Sequence, residues 1–207
     1  MNKGDFEFSI SDNSSSLLLN ENGYGNNLII SERQILKNLK SVQRRNDIST
    51  DYFPKGEERL LHGRNFSIEM ETGTGKTYVY LRTIYELNKN YGFKKFVIVV
   101  PSIAIREGVL KNLEITNEHF QNIYDKVPVS FDVYDSRKVS SLRSFATGNN
   151  IQILVLNIDS FAKDENIINK LNDKLTGKKP IEFIQSSNPI VIVDEPQNME
   201  TDIRKKA

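Results

Sequence analysis

Two short motifs in this sequence carry side chains that could hold a polyphosphate and activate a water molecule. The first, ETGTGKT at residues 71–77, places two glycines directly before a lysine and a threonine. Glycines let the backbone bend so that its N–H groups point at phosphate oxygens, lysine supplies a cation, and threonine supplies a hydroxyl for Mg²⁺. The second, DEPQ at residues 194–197, supplies adjacent carboxylates. One carboxylate could hold the metal while the other orients and deprotonates water.

The chemistry of these side chains suggests a role for each. Lys76 would contact the β- and γ-phosphates, and Thr77 would offer its hydroxyl to Mg²⁺. Asp194 would hold the same cation, and Glu195 would act on the attacking water. The strict phosphate-loop pattern has a glycine where this chain has Met70, which we interpret as a core residue at the end of a strand.

Alternating apolar and amphipathic segments indicate the elements that position both motifs. Runs rich in β-branched residues predict strands at residues 66–70, 96–100, 129–134, 151–156 and 190–193. Helix-like patterns cover residues 76–90, 103–123, 136–146 and roughly 160–187. Runs such as FVIVV and ILVL are apolar at every position, which is typical of strands buried on both faces. We therefore predict an α/β fold, a parallel sheet flanked by helices, with both motifs at strand ends.

Composition limits the classes of function that remain open. The 28 basic and 27 acidic residues nearly cancel, so the net charge of +1 argues neither for nor against a nucleic-acid partner. The absence of cysteine excludes disulfides, thiol nucleophiles and zinc–thiolate sites. Neither a signal peptide nor an apolar run long enough to span a bilayer is present, so we expect a cytoplasmic protein with no membrane partner. We divide the chain into an N-terminal extension with a helix, residues 1–63, and a main lobe, residues 64–207.

The sequence resembles a known family once its motifs are taken together. METGTGKT at 70–77 and DEPQ at 194–197 resemble motifs I and II of superfamily 2 helicases and translocases. The closer resemblance is to the Res subunit of type III restriction–modification enzymes, and it covers the chain from about residue 6 onwards. It is carried by METGTGKTYVYLRTIYELN, KKFVIVVPSIAIREGVLKNLEIT, ILVLNIDSF and NPIVIVDEPQNMET.

The resemblance implies the first RecA-like lobe of a P-loop NTPase motor. In that family the bacterial subunit hydrolyses ATP with Mg²⁺ on duplex DNA, works with a Mod methyltransferase subunit and cleaves DNA through a nuclease domain far downstream. The implied enzyme is an ATP-dependent type III site-specific deoxyribonuclease with DNA-stimulated ATPase activity. Two other interpretations stay open: a stand-alone superfamily 2 helicase acting on DNA or RNA, and a nucleotide-binding module without motor function.

The resemblance also assigns site residues by motif. The nucleotide-binding residues would be Glu71, Thr72, Gly73, Thr74, Gly75, Lys76 and Thr77. Asp194 and Thr77 would serve the metal, and the catalytic set would be Glu195, Lys76 and Gln197, with Gln197 sensing the γ-phosphate. Ser102 and Arg106 occupy the place of a motif that contacts the DNA backbone. Ser102 can cap the helix and leave its N–H groups free for a phosphate, and Arg106 could add a charged contact, although a solvated helix face explains Arg106 equally well.

The family pattern continues beyond the last residue of this sequence. After motif II it has a further motif, a second RecA-like lobe that supplies arginine fingers, and the nuclease. We therefore expect a piece of a longer protein that binds ATP–Mg²⁺ weakly and hydrolyses it barely, because an arginine finger contributes roughly 10³- to 10⁵-fold in rate.

Overall fold

The computed structural model of the chain describes residues 17–21, 23–50, 65–136, 138, 140–160, 166–172, 175 and 177–198. The chain divides into two compact units. The described part of the first unit comprises residues 28–50 and 65–71, and that of the second begins at residue 17 and resumes at residue 72. In chain order the elements are β1 (Leu17–Asn20), β2 (Gly23–Asn26), α1 (Glu32–Arg45), α2 (Lys76–Tyr91), β3 (Lys95–Val100), α3 (Ile103–Ile123), β4 (Val129–Val133), α4 (Ser140–Thr147), β5 (Ile151–Asn157), α5 (Pro180–Ser186) and β6 (Ile190–Val193).

The first unit contains the helix α1 and the segment that leads into the glycine-rich loop. The hydroxyl of Ser31 caps α1 by accepting a hydrogen bond from the backbone N–H of Gln34 at 3.3 Å. Residues 65–71 form neither helix nor strand, so the predicted strand at 66–70 is wrong. An extended segment becomes a strand only where a neighbour pairs with its backbone groups, and the described part of this unit contains no strand. Ile68 accordingly lies 82% exposed instead of in a core.

The second unit is built on a parallel four-stranded sheet. The strand order is β4-β5-β3-β6, and every neighbouring pair is parallel. The four predicted strands that follow the glycine-rich loop are confirmed, with bounds that agree to within one residue. Parallel strands bring all their carboxyl ends to one edge of the sheet, which is where open α/β sheets bind ligands.

Both faces of this sheet are covered by helices, which explains the uninterrupted apolar runs. On one face Phe96, Ile98 and Val100 pack with buried residues of α2 and α3. On the other face Val97 and Val99 pack with residues of α4 and α5. Successive side chains of a strand point to opposite faces, so a strand with two covered faces needs apolar residues at every position. The predicted α/β architecture is confirmed.

The long helices confirm their sequence patterns, whereas the predicted helix at 160–187 is wrong. The helix α2 ends at Gly92, whose φ of 71° places it in the left-handed region that favours glycine at helix ends. In the region of 160–187 the structure describes short 3₁₀ turns, Ile158–Ser160 and Ile167–Asn169, followed by α5. Gly177, with a φ of 74°, adopts a left-handed conformation that interrupts any helix before α5 begins at Pro180. A proline is tolerated at the start of a helix because the N–H that it lacks would have no partner within the helix there. Residues 161–165 of that prediction lie outside the described residues.

The sequence did not predict the antiparallel hairpin formed by β1 and β2. The side-chain amide of Asn26 donates to the carbonyl oxygen of Lys95 at 2.7 Å and accepts from the backbone N–H of Lys94 at 2.9 Å. The backbone N–H of Asn26 donates to the carbonyl oxygen of Ser187 at 2.9 Å. These bonds fasten the hairpin to the amino-terminal end of β3 and to the segment between α5 and β6, opposite the edge where the strands have their carboxyl ends.

Candidate functional site

The loop before α2 has a backbone that suits a bound anion. Gly73 and Gly75 have φ values of 82° and 85°, a region that side chains with a Cβ rarely adopt. The space that a Cβ would occupy at either glycine is open, with nothing within 4 Å. Gly75 is also the N-cap of α2, and no side chain caps the first turn. The N–H groups and the partial positive charge of this helix end are therefore left for an external acceptor.

The two sequence motifs meet at Lys76. Its ammonium group lies 2.5 Å from Oε1 of Glu195, although 118 residues separate them in the chain. Both side chains keep contact with solvent, at 30% and 24% exposed. The packing of α2 against the sheet face that includes β3 and β6 brings them together, because Lys76 opens the helix and Glu195 follows the last strand.

Asp194 lies just past the carboxyl end of β6 and is fixed by its backbone. Its N–H donates to the carbonyl oxygen of Val99 at 2.9 Å, which continues the β3–β6 ladder by one bond. Burial raises the pKa of the Asp194 carboxyl, and the negative charge of Glu195 acts in the same direction. Hydrogen bonding by Tyr80 and the charge of Lys76 oppose that shift. The two carboxylates therefore differ in environment even though they are adjacent in sequence.

Glu195 has an unusual backbone conformation. Its φ of 52° lies in the left-handed region, which is uncommon for a residue other than glycine. The hydrogen bond from Lys76 holds the pKa of the Glu195 carboxyl below its ordinary value. The side-chain amide of Gln197 donates to the other carboxylate oxygen of Glu195. Lys76 and Gln197 thus hold the two oxygens of one carboxylate.

Tyr80 also belongs to this cluster, although neither sequence motif includes it. Its hydroxyl donates to Oδ2 of Asp194 at 3.3 Å. Burial raises the pKa of Tyr80 well above its ordinary value, the charge of Asp194 adds to the shift, and a hydrogen bond with Thr77 opposes it. The only signal in the sequence was the spacing, since residues three apart share one face of a helix.

The other predicted site residues make none of the contacts described above for Lys76, Asp194 and Glu195. Glu71 belongs to the first unit, whereas Thr72, which follows it, begins the main body of the second. Ser102 caps α3 by accepting from the backbone N–H of Ile105 at 3.3 Å, which confirms the predicted helix cap. Arg106 donates to Glu107 at 2.8 Å and borders a surface cavity of about 710 Å³ that Ser160 also lines. The two segments that follow β3 and β5 therefore share one concave surface.

Comparisons with known proteins agree on one family. The family model described as type III restriction enzyme, res subunit, matches residues 27–202. The chain is 33% identical over 168 residues to the StyLTI Res subunit of Salmonella typhimurium, which covers 72% of this chain. It is 29% identical to the EcoP15I Res subunit of Escherichia coli and 28% identical to the EcoPI Res subunit of Escherichia phage P1, each over 84% of this chain. All three are named as subunits of type III restriction-modification enzymes.

The matched region is a small part of each relative. The alignments cover 17% of the Salmonella protein and 19% of each of the other two. The chain therefore spans about a fifth of the length of these relatives. None of the helices in the described ranges is long and apolar enough to cross a membrane.

Proposed function

This chain belongs to the family of type III restriction enzyme Res subunits, and from that premise we propose that its second unit is the ATP-binding lobe of a DNA motor. In this proposal the whole protein couples ATP hydrolysis on duplex DNA to DNA cleavage and acts with a Mod methyltransferase subunit. The observation that supports it most directly is the 2.5 Å contact between Lys76 and Glu195, which unites the phosphate-binding motif with the acidic motif.

Residues 72–77 would bind the triphosphate through the backbone and one cation. The left-handed glycines at 73 and 75 keep the loop open, so N–H groups can approach phosphate oxygens without a side chain between them. The amino-terminal end of α2 adds the partial positive charge of the helix dipole. Lys76 would exchange its carboxylate partner for the β- and γ-phosphates, since an ion pair that solvent still reaches can yield to a more highly charged acceptor.

The donor atoms next to the loop fit a magnesium ion that is bound together with a nucleotide. Asp194 offers a carboxylate oxygen, and Thr77 offers a hydroxyl. Among the described residues no cluster of three or more His, Asp or Glu side chains could hold a metal by itself. Mg²⁺ commonly takes only one or two carboxylates from the protein and completes its shell with phosphate oxygens and water. When bound, the ion would neutralise charge on the phosphates and stabilise the leaving group.

Glu195 would act as the general base toward the attacking water. In the present arrangement Lys76 lowers the pKa of Glu195 and so weakens it as a base. If phosphates draw Lys76 away, that stabilisation of the carboxylate is lost and its basicity rises. Gln197, which is bonded to the same carboxylate, would transmit a change at the phosphates to the segment that follows β6.

The duplex would contact the carboxyl edge of the sheet near Ser102 and Arg106. These residues follow β3, and Arg106 borders the same cavity as Ser160, which follows β5. Contacts of this kind go to phosphates, so binding would be salt-sensitive and independent of base sequence.

A comparison of AMP, ADP and ATP as ligands of the full chain tests the nucleotide site. Affinity should rise with each added phosphate, because in this proposal Lys76 and the loop amides would contact the β- and γ-phosphates and not the base. Mg²⁺ should strengthen ATP binding more than AMP binding. Equal affinities for AMP and ATP would contradict the proposal, since the site would then recognise something other than the triphosphate.

A further inference from the structure

Tyr80 contacts one of the groups that the proposed function places beside the metal and lies one helical turn after the other. Its hydroxyl lies 3.3 Å from Oδ2 of Asp194, and Thr77 is three residues earlier on α2. An ionised carboxylate can only accept hydrogen bonds, so the phenol is the donor to Asp194. The Tyr80 side chain thus links α2 to the residue that follows β6.

The two carboxylates after β6 are held by separate partners. Glu195 is held by Lys76 and Gln197, both of which are expected to interact with the nucleotide. Asp194 has its backbone fixed through Val99 and its side chain bonded by Tyr80. A bound phosphate that draws Lys76 away would therefore release Glu195 while leaving the contact between Tyr80 and Asp194 in place.

We propose that Tyr80 is a positioning residue that orients the Asp194 carboxylate beside the Thr77 hydroxyl for a divalent cation. The inference rests on the proposed function, because it assigns a role to that same site. Partners that orient a metal-binding side chain without touching the metal commonly change metal affinity by about 10- to 100-fold when they are removed.

The aromatic ring of Tyr80 can be kept while its hydroxyl is removed. The ring packs against the buried cluster that α2 and α3 form on the sheet, so Tyr80→Phe preserves the packing. Tyr78 offers a matched control on the same helix, since its hydroxyl bonds Nε2 of His119 at 2.9 Å instead of an acid of the site. Tyr78→Phe removes an equivalent hydroxyl and leaves the Asp194 contact intact.

Two titrations of the full chain separate a positioning role from a structural one. The first measures Mn²⁺ binding by electron paramagnetic resonance in the presence of a non-hydrolysable ATP analogue. The second measures binding of the same analogue in EDTA. We expect Tyr80→Phe to weaken Mn²⁺ binding by roughly tenfold or more while analogue binding in EDTA stays within twofold of the parent. Tyr78→Phe should change neither.

The outcomes also distinguish this inference from the proposed function. If Asp194→Asn weakens Mn²⁺ binding but Tyr80→Phe does not, the positioning role is refuted and the metal site stands. If Tyr80→Phe weakens both titrations equally, its hydroxyl maintains the structure of the loop and the positioning role is again refuted. If neither Asp194→Asn nor Lys76→Ala affects binding of the analogue with Mn²⁺, the proposed function itself fails.

Discussion

The ion pair between Lys76 and Glu195 leads to a pair of variants with opposite effects on ATP binding. Lys76→Ala removes the cation that would meet the β- and γ-phosphates. Hydrogen bonds to charged groups contribute about 1.5–3 kcal/mol, which corresponds to a loss of affinity of roughly 10- to 150-fold. Glu195→Gln removes the carboxylate that competes with phosphate for Lys76 and lowers the negative charge near the ligand. It should therefore strengthen binding.

The size of the second effect follows from the exposure of the pair. The side chains are 30% and 24% exposed, so water and salt already weaken their attraction. Ion pairs that solvent reaches change equilibria by only a small factor, and we expect Glu195→Gln to bind ATP roughly twofold to fivefold more tightly. The gain should shrink at high salt, because screening weakens the competition that the substitution removes.

A fluorescent ATP analogue titrated into the full chain at low and high salt measures both effects. Lys94→Ala is a suitable control, because Lys94 precedes the amino-terminal end of β3 and its ammonium group bonds Asn149. It removes the same charge from the chain without touching the loop. The reasoning is refuted if Lys76→Ala binds as tightly as the parent. It is equally refuted if Glu195→Gln weakens binding to the extent that Lys76→Ala does, because the carboxylate would then belong to the binding surface.

Four further predictions address stability, DNA contact and turnover. Burial lowers the pKa of Lys95 to about 8, so the unfolded chain binds more protons than the folded one between about pH 8 and 10.5, and stability rises with pH in that window. Urea unfolding should show a gain of about 2 kcal/mol from about pH 7 to 9.5 that Lys95→Met lacks, and parallel profiles for the two proteins would contradict it. Phe120, 1% exposed and stacked on Tyr85, should cost about 3–5 kcal/mol when changed to alanine, and a loss below about 1 kcal/mol would mean that this core is loosely packed. Arg106→Ala should weaken duplex binding equally for all sequences and reduce the salt slope by about 1, whereas a sequence-dependent loss would indicate contact with bases. The chain should hydrolyse ATP slowly even with duplex DNA, and rapid DNA-stimulated turnover would show that no arginine finger from elsewhere is required.

The fold class could be predicted because its signals are local. The run FVIVV is apolar at every position, and the structure shows why: alternate residues pack into different cores on the two faces of the sheet. The start of α3 follows from Ser102, whose hydroxyl can cap a helix by accepting from a backbone N–H of the first turn. Gly92 marks the end of α2 for a similarly local reason, the left-handed conformation that it adopts.

The predicted elements that failed depended on partners that the sequence does not reveal. Residues 66–70 have the composition of a strand, yet composition does not provide a neighbouring strand to bond with. The hairpin of β1 and β2 was missed for a different reason. Its strands are only four residues long, LLLN and GYGN, and it is held by specific hydrogen bonds such as those of Asn26, which a periodic pattern does not reveal. The long helix expected at 160–187 was an overestimate, because Gly177 and Pro180 have local conformations that outweigh helix-like spacing.

Lys95, in the confirmed strand β3, shows the same limit of prediction from sequence. The sequence suggested a strand from residue 96 and gave no reason to expect a buried lysine before it. The structure buries Lys95 completely and satisfies its ammonium group with carbonyl oxygens at the end of α4, including Gly148 at 2.7 Å. A buried charge is tolerated only where such partners exist. Which residues supply them is a matter of packing between segments some 50 residues apart.

The sequence by itself determined which side chains the candidate site contains. Two combinations carry this information: a glycine-rich loop before a lysine and a threonine, and an acid pair after an apolar run. The chemistry that each could perform follows from the properties of its side chains. Only the tertiary structure decided that Lys76 reaches Glu195 and that Tyr80 reaches Asp194. These contacts depend on how α2 packs against β3 and β6, and that packing is set by many weak apolar contacts summed over the whole unit. Side-chain type is a local property, whereas the distance between two side chains is a property of the folded chain.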